Sequence, residues 1–480
     1  MYCRSSWGTV KLTDTLTGTT GLEPEQACRY AGGRLAFVGK RPIRGVVVDS
    51  RQACSDFLFV ALPGERVDGH DFIRQAVEQG ASAVLASRAS WEQRRESLRE
   101  LPVAGSPVSV ILVEDSLTGL QRMAKGYLSR FNDCLRIGVT GSNGKTTTKE
   151  ILGSIFARDR STVISRGNLN SVIGLPVSCF NLEQVHRAAI FEMGINRPGE
   201  MDVLADIFRP DAAVITNIGG AHIGLLGSRE GIAREKKKIF QYFDGTQRAF
   251  LFENEELQDI LTKGIRAKLI RFGPESTRGF EGSEDLGLDG TIIHWEGLRV
   301  RFPLFGAHNL RNALAAISVS AELGICKEKI KEGLEAVQPL FGRSEITRGK
   351  VTILQDCYNA NPDSFHQVFE FLSTLKWPGR KIAVLGAMKE LGRQSREAHR
   401  QIVAEAGNSD FQGLFLFGEE LEESFRQLGA GGFDGTAEWM TDIDSLRESL
   451  HSYLREGDLL LIKGSRAVEL ERLLPEPTEG

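Results

Sequence analysis

An apolar run, LRIGV at residues 135–139, passes straight into TGSNGKTTTKEIL. This one passage constrains the fold more than any other. A short buried strand must turn at glycines and re-emerge as a helix. Gly141 and Gly144 allow the tight turn, and the N–H groups of the turn, through Ser142 and Asn143, then face a common point where an anion can sit. Lys145 reaches toward outer phosphates, and Thr146 or Thr147 offers a hydroxyl to magnesium. The helix that follows presents its positive end to the same place. The commonest phosphate-loop pattern would need glycine at 139, where this chain has Val139; the loop here is the shorter G-x-x-G-K-T. An ordinary glycine turn is the plain alternative, and the strand before, the helix after and the Lys-Thr pair in place argue against it.

The chain has 480 residues, which suggests about three domains. Charged residues make up 25% and the net charge is −4, so no broad phosphate-tracking surface is expected and nucleic acid is excluded as the principal partner. Seven scattered cysteines without a C-x-x-C fit reduced thiols better than a disulfide framework or a zinc site. Residues 1–10 hold no apolar run of signal-peptide length, and no window approaches ~20 apolar residues. A cytoplasmic protein without a membrane span is the expectation.

The fold class predicted is α/β in three domains. Residues 1–120 form a small mixed α/β domain, with strands near 45–48, 57–61, 81–86 and 108–113 and a helix at 71–79. Residues 121–338 form a central parallel-sheet domain around the phosphate loop, with strands at 135–139, 188–193 and 212–216 between helices. Residues 287–304 alternate like an antiparallel appendage. Residues 339–480 form a doubly wound, Rossmann-like domain, with strands at 351–355, 382–385, 414–417 and 459–462 separated by four helices.

Parallel sheets bind ligands at the carboxyl ends of their strands. Glu192 ends one strand and His222 follows another; an oxygen and an imidazole there suit a divalent ion beside a phosphate group. Taken singly, each is more often a cap or a structural group. The segment REKKKIF carries Arg234, Lys236, Lys237 and Lys238, either a solvated basic face or the place of a lysine carbamate that acts as a metal ligand. Asn309 and Asn312 share one helix face, as readers of a base edge or as a cap and a packed amide. Arg343 is a candidate clamp for a terminal phosphate, and Asp356 ends a strand before the polar turn Tyr358–Asn359–Asn361.

The ordered set TGSNGKTTT, GNLNSVIGLP, FEMGINRPGEM, TNIGGAHIGLLGS, GAHNLRNALAA, GRSE, DCYNANPDS, LGAMKELG and IKGSR closely resembles the Mur ligase family, whose ATP-dependent enzymes add amino acids to the peptidoglycan precursor. YNANPDS, VLGAMKELG and GNLNSVIGLP are most similar to the branch that joins D-alanyl-D-alanine to UDP-N-acetylmuramoyl-tripeptide. The resemblance implies ATP, two magnesium ions and a carbamylated Lys236 as cofactors, and a monomer. It implies that Lys145 and Thr146 bind the triphosphate and magnesium, that Glu192, His222 and Lys236 hold the metals, and that Asn309 and Asn312 face adenine. It places Arg343 and Asp356 at the γ-phosphate and ribose. Asn168 and Asn170 would face the muramoyl part, and Ser50, Arg51, Asp68, Gly69 and His70 the uridine diphosphate. Asn359, Glu390, His399 and Lys463 would lie toward the incoming dipeptide. The chain departs from the family in Ala387, in Gly220 and in EKKK before the Ile-Phe pair. A folylpolyglutamate synthase would usually read TGTNGKGS at the loop, and a nucleotide-dependent switch would need the loop alone.

Overall fold

The computed structural model describes residues 20–64, 67–98, 101, 107–220 and 223–474. Among the described residues four sheets stand in chain order, three large ones built from the apolar runs of the sequence and a small antiparallel one. The first has five strands, in the order Arg34–Phe37, Ser109–Val113, Ala83–Ser87, Phe57–Val60, Gly45–Val47. All neighbours run parallel except Arg34–Phe37, which pairs antiparallel on the edge. The four expected strands are present, and the edge strand is an addition that its mixed composition (RLAF) did not signal.

The central sheet is parallel throughout, in the order Lys268–Phe272, Arg248–Phe252, Ala212–Ile215, Leu135–Thr140, Ala188–Glu192, Thr162–Ile164. The strand that feeds the phosphate loop therefore sits between two buried neighbours. Its residues 137–140 are shut from solvent on both faces, as a doubly covered parallel sheet requires. An antiparallel appendage follows, Phe280–Asp285, Thr291–Trp295 and Leu298–Phe302, beginning somewhat earlier than the sequence pattern suggests. The last sheet runs Glu345–Thr347, Thr352–Asp356, Leu459–Lys463, Lys381–Gly386, Gly413–Phe417, Thr436–Met440, parallel apart from its first strand. Among the described residues no helix is long and apolar enough to cross a membrane.

The helix Ser116–Leu128 links the first two sheets. Asp115 caps it by accepting from the Thr118 N–H, and its apolar face is buried along its whole length. One continuous core joins Leu58, Leu85 and Ile111 of the first sheet, through Leu120 and Met123 of this helix, to Phe191 and Phe208 of the central sheet's layer. The last domain meets the central one through a smaller apolar seam in which the Phe305 and Phe371 rings lie 4.4 Å apart.

A shared core makes a prediction. Leu120→Ala removes a fully buried side chain and should destabilise the chain by about 2–5 kcal/mol. Amide hydrogen exchange should quicken in the strands of both the first and the central sheet. Quickening in one sheet only would mean that the two cores are independent.

Candidate active site

The strand Leu135–Thr140 ends in the loop, and the helix Lys145–Ala157 begins directly after it. Both loop glycines are required. Gly141 stands at φ +151, and a Cβ there would lie 1.8 Å from the Thr216 hydroxyl; Gly144 stands at φ +77, with Asn312 Oδ1 at 2.3 Å from the same test position. The loop is braced by the end of the next strand. Asn217 accepts the Ser142 N–H on its carbonyl oxygen at 3.0 Å and the Asn143 N–H on Oδ1 at 3.0 Å. Thr216 donates its hydroxyl to the Asn143 carbonyl at 2.5 Å.

Lys145 Nζ folds back and donates to the carbonyls of Gly141 (3.0 Å) and Ser142 (3.1 Å). From below, Lys236 Nζ donates to the same Gly141 carbonyl at 2.8 Å. Lys236 is 1% exposed. Burial drives its pKa well below the ordinary lysine value, the nearby Lys145 cation pushes it further, and Glu192 opposes both. Lys145 is also lowered, by loss of solvent first, with Glu192 raising it and Arg343 lowering it. Thr146 donates its hydroxyl to Glu192 Oε2 at 2.7 Å, and Asn170 donates Nδ2 to Oε1 at 2.7 Å. A carboxylate and a hydroxyl side by side, in a polar cleft, form the small oxygen set that magnesium takes from a protein while keeping water and phosphate oxygens for its other positions. His222 lies outside the described residues. Among the described residues no group of three His, Cys, Asp or Glu side chains forms a fuller metal cage.

The loop opens onto a cleft of about 360 Å³ whose walls come from the central and last domains. The central wall holds Thr147, Asn168, Asn170 and Glu192, with Asn309 and Asn312 on the helix Ala307–Glu322. The two helix amides are nearly buried: Asn309 Nδ2 donates to the Phe305 carbonyl at 2.9 Å, and Asn312 Oδ1 accepts from the Thr148 hydroxyl at 3.3 Å. The facing wall holds Arg343, Asp356, Asn359, Glu390 and Lys463. Arg343 lies over the Tyr358 ring at 4.2 Å, and Asp356 is ion-paired to the buried Lys463 on the neighbouring strand. Glu390 adopts φ +67, a left-handed conformation uncommon for a residue with a side chain.

Other expected residues stand elsewhere. None of Ser50, Arg51, Asp68, Gly69 and His70 lines this cleft; they lie together in the first domain. Asp68 accepts from the His70 N–H at 3.0 Å and from its ring at 2.6 Å, and His70 Nε2 accepts from the Ser87 N–H at 3.0 Å. Ser50 donates to Gln75 at 3.1 Å, Arg51 pairs with Asp49, and a Cβ on Gly69 would strike Leu62 backbone at 2.6 Å. His399 is buried behind the cleft, accepting from the Met388 N–H at 2.8 Å. Burial lowers its pKa. It shapes the loop that carries Glu390. The sequence reading missed Asn217, which no spacing rule marks, and His308, a cleft residue whose pKa burial lowers to about 4.

Comparison with known proteins decides the family. The family model for the Mur ligase middle domain matches residues 139–320, that for the Mur ligase glutamate ligase domain 342–466, and that for the Mur ligase catalytic domain 42–127. A UDP-N-acetylmuramoyl-tripeptide–D-alanyl-D-alanine ligase of Treponema pallidum is 39% identical over 91% of this chain and 94% of its own length. The chain belongs to the Mur ligase family. The same-named enzyme of Bacillus subtilis is 33% identical over 91% of this chain and 94% of its own length. Among solved structures, MurF from Acinetobacter baumannii superposes with a TM-score of 0.82 at 28% identity, covering 94% of this chain and 97% of that one. MurF from Thermotoga maritima, solved in complex with ADP, gives 0.73 at 30% identity over 90% and 96%. The three-domain α/β fold expected from the sequence is the fold of this Mur ligase.

The buried lysine has a consequence for stability. The folded state holds Lys236 with its pKa far below 10.5, so the unfolded chain binds more protons between that low value and about 10.5. Stability should therefore rise with pH across this window, by about 1.4 kcal/mol per unit for one such group. Lys236→Met should flatten that rise and be the more stable protein at neutral pH. Denaturant titrations of both proteins at two alkaline pH values check it; equal slopes would show that Lys236 is charged in the fold.

Proposed function

We propose that this chain is an ATP-dependent ligase that joins D-alanyl-D-alanine to UDP-N-acetylmuramoyl-tripeptide. The observation that carries this reading is the cleft in which loop residues 142–147 and Glu192, with the buried Lys236 bonded beneath the loop to the Gly141 carbonyl, face Arg343 and Asp356 of another domain. The relatives matched over about nine-tenths of the chain are named for that reaction.

The terminal carboxylate of the tripeptide attacks the γ-phosphorus of ATP, and the bond to the β-γ bridging oxygen breaks. ADP leaves and an acyl phosphate remains. The dipeptide amine then attacks the acyl carbon, phosphate departs, and the amine loses its proton. Lys145 neutralises charge on the outer phosphates, and Arg343 reaches the γ-phosphate from the last domain. Water is the competing nucleophile for an acyl phosphate, and a cleft closed by two domains excludes it. Thr146 and Glu192 would hold magnesium, which supplies charge neutralisation on the phosphate oxygens. Burial favours the uncharged form of Lys236, whose free electron pair can add carbon dioxide; the product is a carbamate and a released proton. Such a carbamate, with His222, would serve a second ion. Asn309 and Asn312 would face adenine. Asp356 would take the ribose. Asn168 and Asn170 would meet the muramoyl side, and Asn359, Glu390 and Lys463, with His399 supporting them, the dipeptide side. The first domain, through Ser50, Arg51 and the Asp68–Gly69–His70 turn, would carry the uridine diphosphate.

Phosphate release from ATP should require both UDP-N-acetylmuramoyl-tripeptide and D-alanyl-D-alanine, with a product heavier by the dipeptide less water. Release with a shorter precursor and a single amino acid instead would move the chain to a sister step. Arg343→Ala should slow acyl phosphate formation by about 10²–10³, the scale for loss of one preorganised charge contact. An unchanged single-turnover rate would remove Arg343 from the chemistry.

A further inference from the structure

The phosphate loop is gripped from outside its own domain. Asn361, the N-cap of the helix Pro362–Thr374, donates Nδ2 to Asn143 Oδ1 at 2.7 Å, across 218 positions of sequence. Its Oδ1 accepts the Ser364 N–H at 2.9 Å. One amide thus starts the helix and touches the loop. Two residues on, Asp363 Oδ2 accepts the Gly220 N–H at 2.8 Å. Gly219 leaves room for that approach, since a Cβ there would lie 2.1 Å from the same oxygen.

The loop around Gly219 is itself the outer half of the phosphate cradle. Asn217 accepts the N–H groups of Ser142 and Asn143, and the Gly219 N–H donates to the Ser142 hydroxyl at 2.8 Å. The first turn of a helix in the last domain therefore holds both halves of the cradle at once. A cradle of backbone N–H groups binds an anion well only when its conformation is set beforehand, because ordering it on binding costs affinity.

We propose that Asn361 and Asp363 are positioning residues for the nucleotide: they fix the shape of the phosphate loop, so that affinity for the phosphates depends on the last domain being seated. This rests on the nucleotide reading of the cleft. It differs from a clamp such as Arg343, because neither side chain needs to touch the phosphates.

The test is calorimetric titration of the full chain with ADP and magnesium. Asn361→Ser keeps a hydroxyl that caps the helix as well as asparagine does, and is too short to reach Asn143. Asn361→Ser should weaken ADP about fivefold, the scale of one neutral hydrogen bond, at an unchanged unfolding temperature. Asn143→Ala should weaken ADP similarly, and the double variant no more than either single one. Asp363→Ala should also weaken it, while Asp363→Asn, which keeps an acceptor for Gly220, should bind as the parent does. Additive losses in the double variant, or Asp363→Asn as weak as Asp363→Ala, would overturn the proposal while leaving the nucleotide site intact. A parent chain that binds no ADP would overturn the nucleotide reading, and this proposal with it.

Discussion

Two lysine side chains converge on the carbonyl oxygen of Gly141, Lys145 from the cleft and Lys236 from beneath it. Everything in the site is arranged around that crowding. Two cations brought together away from water repel, and the chain answers with one carboxylate, Glu192, and with a pKa pushed well down on the more deeply buried lysine. Glu192 is held in turn by Thr146 and Asn170, and by its own N–H bonded to the Ser165 hydroxyl at 3.0 Å. The site thus sets Lys145 at its mouth and, at its base, a lysine whose burial favours the uncharged amine. That is an arrangement suited to a polyphosphate above and to an uncharged electrophile below.

The central sheet makes the crowding possible. Leu135–Thr140, Ala188–Glu192 and Ala212–Ile215 are neighbours and parallel, so their carboxyl ends open on one edge. The loop, Glu192 and the Thr216–Asn217 brace leave the sheet there together. The last domain repeats the device: Thr352–Asp356 and Leu459–Lys463 pair in register, which sets Asp356 opposite Lys463 at their common end. The two strand-end surfaces meet across the cleft. A reaction that needs a nucleotide held on one side and a second reactant brought from the other is served by such a facing pair.

Much of this was legible in the sequence, for identifiable reasons. The buried strands stood out because VILF-rich runs with no polar alternation have one use in an α/β chain. Edge strands did not: Lys268–Phe272 is largely exposed, and Thr162–Ile164 is three residues long. The loop was legible because Gly141 and Gly144 occupy positions that no other residue fits. The residues around it that act through tertiary contact were not. Asn217 and Asn361 lie in legible segments, TNIGGAHIGLLGS and the polar turn before Pro362, but their roles at the loop exist only once chain segments far apart in sequence meet there. The first-domain residues were named from resemblance; in the fold Asp68 and His70 already cap a turn and hold the Ser87 backbone, a structural duty that spacing cannot distinguish from ligand contact.

The lysine run at 236–238 shows how a fold gives different chemistry to identical neighbours. Spacing before the Ile-Phe pair pointed to Lys236, yet three adjacent lysines look alike in composition. The helix Arg229–Lys237 resolves them by rotation. Successive positions turn about 100°, so a single step carries a side chain from core to surface. Lys236 points under the phosphate loop and is buried, whereas Lys238 reaches Asp202 at the surface at 2.6 Å. Glu235, just before, fixes that rotation: Oε1 accepts the N–H groups of Gly199 at 2.8 Å and Met201 at 3.1 Å, at the start of the helix Glu200–Phe208. A carboxylate at a helix N-terminus is favoured by the partial positive charge there. The glutamate that interrupts the expected pattern is thus the anchor that turns its neighbour into the site.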